Sequence, residues 1–436
     1  PEYNGYKVYW EDGAQITPPH DSGIMAEVQA VTDYNDVRTM DKEEAVKAGL
    51  CTIIGKDIDD KYIARLKEQV KHPEAIEAMG KDLKIVYTPL HGTGNIPARR
   101  ILKELGFENV YVVPEQELPD GEFPTVSYPN PEADEAFVLG LKLAKEVDAD
   151  LVLATDPDAD RLGVRVKDKD GEYHNLTGNM SGCLLAEYTI GQIKALKGSL
   201  PEDGALIKTI VTTNMADAIA KGYDIRLIEC LTGFKYIGQQ ILGFETSGKG
   251  TYLFGFEESY GCLIGTHARD KDAIVATMAL CEAAAFYKTQ GKTLWDAMVD
   301  MYEKYGYYKD DVKSISLSGI EGLAKIQSIM ETLRTNPPKE IAGMSVVSAR
   351  DYKKDEIINI QTGEVKPTGL PGSNVLYYDL TDDAWLCVRP SGTEPKLKIY
   401  ISAGGKSRDE AETLCAAIAE DLKNRVDDIA GGNEYE

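Results

Sequence analysis

Leu151–Gly163 reads LVLATDPDADRLG: an apolar run, then three aspartates at alternate positions, then an arginine. Leu151-Val152-Leu153-Ala154 has the character of a buried strand. At its carboxyl end Asp156, Asp158 and Asp160 place three carboxylates that repel one another unless a cation joins them. Oxygen-only ligands suit a hard ion, so the loop predicts a Mg²⁺ site. A solvated acidic turn would account for the charges but not for the strand lead-in or the adjacent Arg161. An EF-hand loop needs Gly at its sixth position and Glu at its twelfth, where this chain has Arg161 and Lys167. A phosphatase using Asp156 as nucleophile remains a competitor on this loop alone.

Outward from the loop, Lys84–Thr88 and Val110–Val113 read as strands and Ile96–Leu105 as a helix, with PLHGTGN (Pro89–Asn95) as a loop. Glu132–Val147 reads as an amphipathic helix entering the strand at Leu151. Strands alternating with helices indicate a parallel, doubly wound unit whose ligands sit at the carboxyl ends of the strands. A second run follows Pro201: strands at Leu206–Val211, Ile225–Leu231 and Thr251–Phe256, and helices at Met215–Lys221, Thr232–Leu242 and Asp272–Gln290. From near Asp310 the pattern becomes α+β, ending in strand, loop, strand and helix over Trp385–Asp427. The fold class expected is therefore α/β: consecutive doubly wound α/β domains plus a C-terminal α+β domain. The expected boundaries are 1–60 (a remnant of two short strand-like pieces and an amphipathic stretch, too little for an independent core), 61–200, 201–309 and 310–436.

The 436 residues allow several domains and an ample core. Net charge is −24, from 48 basic and 72 acidic residues, which argues against nucleic acid or an anionic membrane as partner. No apolar run approaches the roughly 20 residues that span a bilayer. Seven scattered cysteines without paired zinc spacing fit reduced thiols in a cytoplasm. No signal peptide is visible. The first residue is Pro1, not Met, which suggests a fragment, a processed product or a trimmed chain. The histidines show no metal spacing. His91 and His267 lie in loops near the motifs, and His20, His72 and His174 are expected at the surface.

Two further loops carry chemistry. GFEESYG (Gly255–Gly261) sets carboxylates beside a hydroxyl, a pattern suited to vicinal sugar hydroxyls, although an ordinary acidic turn would look similar. RPSGTEPK (Arg389–Lys396) lies between two strands. Its Ser-Gly-Thr turn and the planar fork of Arg389 form an anion nest suited to phosphate, or a plain hairpin turn. HARDKD (His267–Asp272) and TGFKYIG (Thr232–Gly238) place Arg269, Lys271 and Lys235 at helix starts.

Together TDPDADR, GFEESYG and RPSGTEP, in this order and at these separations, resemble the α-D-phosphohexomutase superfamily over essentially the whole chain. TGFKYIG and HARDKD fit its third domain. Glu-Glu-Ser-Tyr in the sugar loop is similar to the phosphoglucomutase and phosphopentomutase branches, not to the phosphomannomutase and phosphoglucosamine mutase branches. The resemblance implies four domains around a central cleft, a phosphorylated sugar as partner, Mg²⁺ as cofactor, and a reaction through a phosphoserine and glucose 1,6-bisphosphate. It implies Mg²⁺ ligation by Asp156, Asp158 and Asp160, and contact of Arg161 with the phosphoserine side of the site. Glu257, Ser259, Thr232 and Gly233 would face the sugar. Arg389, Ser391, Gly392 and Thr393 would clamp the phosphate that is not reacting. Lys7 would be a general acid/base and Lys271 a second basic group in the cleft. In the family the phosphoserine loop directly precedes a Tyr-Asn-Gly-Tyr-Lys type segment, which here is Tyr3–Lys7. The serine is thus expected just upstream of Pro1, and the chain alone is expected to bind sugar phosphate without interconverting isomers.

Overall fold

The computed structural model describes residues 6–317, 319–391 and 396–430. It divides into two compact units, Pro1–Ile207 with Gly233–Trp295, and Lys208–Thr232 with Asp296–Glu436.

In the first unit β1 (Lys84–Thr88), β2 (Asn109–Val112), β3 (Leu151–Thr155), β4 (Leu162–Lys167) and β5 (Tyr173–Leu176) form one sheet in the order β2-β1-β3-β4-β5. β1 runs parallel to both β2 and β3, joined by helices as the alternating pattern requires. β4 and β5 are antiparallel, so the sheet is mixed and not wholly parallel. The reason is local. Only the aspartate loop separates β3 from β4, and a parallel return would need a crossover of a dozen or more residues. Val86, Phe137, Ala144 and Val152 belong to the core beneath the sheet. The helix expected from Glu132 begins later, at Val138, after a 3₁₀ turn over Asp134–Phe137. Glu132 lies outside it and turns to Arg161, 3.2 Å away.

The chain continues through β6 (Gly204–Thr209), β7 (Arg226–Cys230), β8 (Thr251–Phe256) and β9 (Cys262–Leu263), the last two antiparallel. The helix Ala273–Lys288 is buried along most of its length, and the side chain of Asp272 caps it by accepting the N–H groups of Ile274 and Val275. At the amino end of the chain no residue from 15 to 62 is buried, and Met25, Val28, Val31, Leu50, Ile53 and Ile54 are exposed.

The second unit carries an antiparallel sheet. Its strands are β10 (Tyr307–Ser316), β11 (Glu340–Ile341), β12 (Met344–Asp351), β13 (Glu356–Asn359), β14 (Val365–Lys366), β15 (Leu376–Leu380), β16 (Trp385–Pro390) and β17 (Lys396–Gly405). The order is β10-β17-β16-β15-β12-β13-β14, with β11 on β12. Helices Gly319–Thr335 and Arg408–Ala430 supply Ile329, Leu333, Ile418 and Leu422 to a core shared with Leu386 and Ile399 of the sheet. This is the expected α+β end. Among the described residues no helix is long and apolar enough to cross a membrane.

Candidate active site

β3 ends in buried Thr155 and hands the chain to Asp156, itself buried. Asp156 organises the loop. Its Oδ1 accepts the N–H groups of Asp160 at 3.0 Å and Arg161 at 2.9 Å. The tight return puts Ala159 in the left-handed region, at φ +58°. The PLHGTGN loop props this turn from outside. Both the N–H and the hydroxyl of Thr93 donate to the carbonyl of Pro157, at 2.9 and 3.0 Å. A Cβ on Gly92 would stand 2.3 Å from the Cα of Pro157, so only glycine fits there.

One oxygen from each of Asp156, Asp158 and Asp160 lies within 4.8 Å of the other two. Burial, and then the charges of Asp160 and Asp158, push the Asp156 carboxyl up to about 8. Asp160 goes the other way. Burial opposes its charge, but the ammonium groups of Lys271 and Lys7 outweigh it and hold the carboxyl low. Both lysines reach its Oδ2 at 3.0 Å, and Lys7 is also 3.5 Å from Asp158. The Nε of Arg161 is buried without a hydrogen-bond partner among the described residues, 3.8 Å from Asp156 and 3.7 Å from Asp160. Three clustered carboxylate oxygens, one of them on the buried Asp156, fit a hard divalent cation.

The sugar-type loop leaves β8 at Glu257. This side chain is buried and accepts the N–H of Gly233 at 2.9 Å; burial raises its carboxyl. The turn closes by Glu257 N–H to the carbonyl of Gly261, and Ser259 lies half-buried within it. The N–H of Leu162 donates to the carbonyl of Tyr260 at 2.9 Å, which sets this turn against the end of the aspartate loop. The first unit thus brings together Asp156, Asp158, Asp160, Arg161, Lys7, Lys271, Gly233, Glu257 and Ser259.

Thr232, Arg389 and Ser391 belong to the second unit. Thr232 has a buried hydroxyl without a partner among the described residues. Arg389 stands near the end of β16 opposite Lys398, and the N–H of Ser391 donates to the carbonyl of Lys396 at 2.8 Å. Gly392 and Thr393 lie outside the described residues.

Some functional candidates escape a reading by motif. Asp270 bonds the ammonium of Lys271 at 3.0 Å and the hydroxyl of Tyr9 at 2.7 Å. Asp270 was visible inside HARDKD. The only signal for Tyr9 is its spacing of two from Lys7, which places both on one face of an extended segment. Gly261 matters for a steric reason, since a Cβ there would sit 2.0 Å from the Cδ of Lys271. Tyr9, Tyr62, Asp158, Arg269 and Lys271 line a cavity of about 400 Å³. His267 is structural, its Nε2 lying 2.8 Å from the capping carboxylate of Asp272. His72, expected at the surface, is instead buried, its ring nitrogens bonded to Glu74 and Gln192.

Known proteins match the sequence of this chain over most of its length. Residues 60–171 match the family model for phosphoglucomutase/phosphomannomutase, alpha/beta/alpha domain II, and 177–305 match domain III. Residues 349–421 match the C-terminal domain. A phosphoglucomutase of Staphylococcus aureus (strain MRSA252) is 35% identical over 402 residues, 92% of this chain and 70% of the relative. A protein of Haemophilus influenzae named "Probable phosphomannomutase" is 35% identical over 438 residues, covering 100% of this chain and 81% of its own length. Among solved structures, the parafusin phosphoglucomutase of Paramecium in its open form aligns with a TM-score of 0.61 at 18% identity, over 86% of this chain and 63% of that one. At that identity the likeness concerns the fold alone. The sequence matches reach further, and by them the chain belongs to the phosphoglucomutase/phosphomannomutase family of sugar-phosphate mutases.

Proposed function

We propose that this protein interconverts glucose 1-phosphate and glucose 6-phosphate through a phosphoserine and a glucose 1,6-bisphosphate intermediate. The observation that carries the reading is the junction at Asp160, where two ammonium groups meet the aspartate triad at 3.0 Å beside a turn holding a buried glutamate. Such a locus can receive a phosphoryl group next to a polyol.

Asp156, Asp158 and Asp160 would hold Mg²⁺. Bound there, the ion would neutralise charge on the transferring phosphoryl group. Arg161, whose Nε makes no hydrogen bond among the described residues, would bind phosphate oxygens on the serine side. Lys7 would take the proton from the attacking sugar hydroxyl or return it to the leaving one. Lys271, anchored on Asp160 and Asp270, would add fixed positive charge to the cleft. Glu257 and Ser259 would bind vicinal sugar hydroxyls, aided by the hydroxyl of Thr232 and the backbone of Gly233. Arg389, Ser391, Gly392 and Thr393 would hold the other phosphate in either orientation of the bisphosphate. Most of the acceleration would come from positioning and electrostatics, as in phosphoryl transfer generally.

Glu257-Glu258-Ser259-Tyr260 favours the glucose-type branch. The second reading is a phosphomannomutase, favoured by the printed name of the Haemophilus influenzae relative. The test uses the full-length gene product with Mg²⁺ and a trace of the cognate 1,6-bisphosphate. Glucose 1-phosphate, mannose 1-phosphate and ribose 1-phosphate are compared by kcat/KM. Preference for glucose 1-phosphate is expected, and preference for either of the others would reject the glucose assignment. Turnover in EDTA equal to that with Mg²⁺ would reject the metal role.

A further inference from the structure

The PLHGTGN loop (Pro89–Asn95) joins β1 to the helix Asn95–Leu105, and its backbone is unusual. Leu90 and His91 are consecutive non-glycine residues in the left-handed region, at φ +46° and +60°, and both are buried. L-residues avoid that region because Cβ crowds the following carbonyl, so such a pair persists only where its surroundings hold it. Here a polar network does so. The N–H of Leu90 donates to the Thr88 hydroxyl at 3.1 Å, and that of His91 to the carbonyl of Gln116 at 3.0 Å. The Nδ1 of His91 lies 3.2 Å from the carbonyl of Leu118, which can only accept, so the neutral ring carries its proton there. Its Nε2 then accepts the hydroxyl proton of Thr125 at 2.8 Å. The side chain of Gln116 closes the network, accepting from Thr88 at 2.7 Å and donating to Thr125 at 3.2 Å.

Beyond the left-handed pair the chain brings both the N–H and the hydroxyl of Thr93 to the carbonyl of Pro157. That carbonyl belongs to the planar peptide joining Pro157 to Asp158. The proline ring fixes φ on one side of it, and the two donors of Thr93 fix the plane itself. Asp158 needs this more than its neighbours do. Asp156 is held by two backbone N–H groups, and Asp160 by two ammonium groups at 3.0 Å. The Asp158 side chain is 63% exposed, with the Lys7 ammonium 3.5 Å away, so the backbone beneath it largely decides where its carboxylate points.

We propose, on the reading of the triad as a Mg²⁺ site, that Thr93 is a positioning residue that sets the Asp158 carboxylate for the metal, and that the left-handed pair Leu90–His91 holds Thr93 in place. Thr93 acts through Pro157 and needs no contact with the ion.

Mg²⁺ is titrated calorimetrically into the full-length gene product without substrate, and kcat and KM are measured with glucose 1-phosphate at saturating Mg²⁺. T93V keeps the branched shape and loses the hydroxyl. It is expected to weaken Mg²⁺ about three- to tenfold, the scale of one neutral hydrogen bond, with KM unchanged. T93S restores the hydroxyl and is expected to recover the wild-type affinity. T125V cuts the bond to His91 and leaves Thr93 intact; it is expected to weaken Mg²⁺ by a smaller factor. A T93V affinity equal to wild type, or one that T93S fails to restore, would overturn the proposal. Thr93 also lines the cavity of about 400 Å³, so a raised KM at intact Mg²⁺ affinity would make it a substrate contact instead. T125V binding Mg²⁺ as wild type does would overturn the role of the left-handed pair. D158N tells the two readings apart: if it too binds Mg²⁺ like the wild type, the metal assignment itself fails, and the role of Thr93 with it.

Discussion

In the aspartate loop three carboxylates crowd one small volume. In the second unit an equally dense set of charges runs Asp217–Lys208–Glu229–Arg350–Asp379. Lys208 is 1% exposed and pairs with Asp217, with Glu229 3.6 Å away. Glu229 reaches Arg350 at 3.4 Å, and Arg350 grips Asp379 with two nitrogens at 2.6 and 2.9 Å while lying 4.5 Å over the ring of Tyr377. There each cation has an anion beside it, and the set is closed. In the aspartate loop Lys7 and Lys271 converge on Asp160, while Asp156 accepts two backbone N–H groups, has the Arg161 Nε no nearer than 3.8 Å, and its carboxyl is pushed up. A closed network serves the fold; an unbalanced one is where chemistry is expected.

The sharpest way to break this contrast is to neutralise one member of each set. Asp158→Asn is expected to lower kcat by about a hundredfold or more, the scale of losing a main electrostatic element of a transition state, while the melting temperature holds. Near wild-type turnover would show that the triad is not a metal site. Lys208→Met is expected to do the reverse. Leaving Asp217 without its cation, and Glu229 with Arg350 alone, should cost about 2 kcal/mol of stability, discounted because both acids are partly exposed. Denaturant unfolding checks this, with kcat intact below the transition. An unchanged midpoint would deny the closed network its structural role.

Arg389→Ala sharpens the comparison within the second unit, because Arg389 is assigned to ligand and Arg350 to fold. Loss of a charged hydrogen-bond partner should cost about 1.5–3 kcal/mol of sugar-phosphate affinity. Calorimetry showing unaltered binding would place the phosphate clamp elsewhere. The smallest effect is expected for Tyr9→Phe, which removes one hydroxyl from Asp270 and should cost about 0.5–1.5 kcal/mol. It should appear as a several-fold drop in kcat with little change in KM, since Tyr9 acts through Asp270 on Lys271. An equal rise in KM would make it a substrate contact instead.

Much of this was legible in the chain itself. An unbroken apolar run before spaced aspartates specifies a buried strand with carboxylates at its end, because burial and period are properties of the residues in order. The α+β close of the chain followed in the same way from the alternating stretch after Asp310 and the strand, loop, strand and helix pattern over Trp385–Asp427. What the chain could not specify were distances across the fold. Nothing local says that Lys7 and Lys271 meet at Asp160, more than 150 residues from the first of them and more than 100 from the second. Tyr9 finds Asp270, and Gly261 leaves room for the stem of Lys271, only once the chain has folded. The start of the helix at Val138 and the antiparallel turn of β4 were likewise decided by contacts, Glu132 with Arg161 and β3 with β4. Sequence order thus determined which chemical groups this protein carries and on which elements they stand. Tertiary packing decided which of them share a low-dielectric pocket, and their charges and proton affinities depend on that sharing.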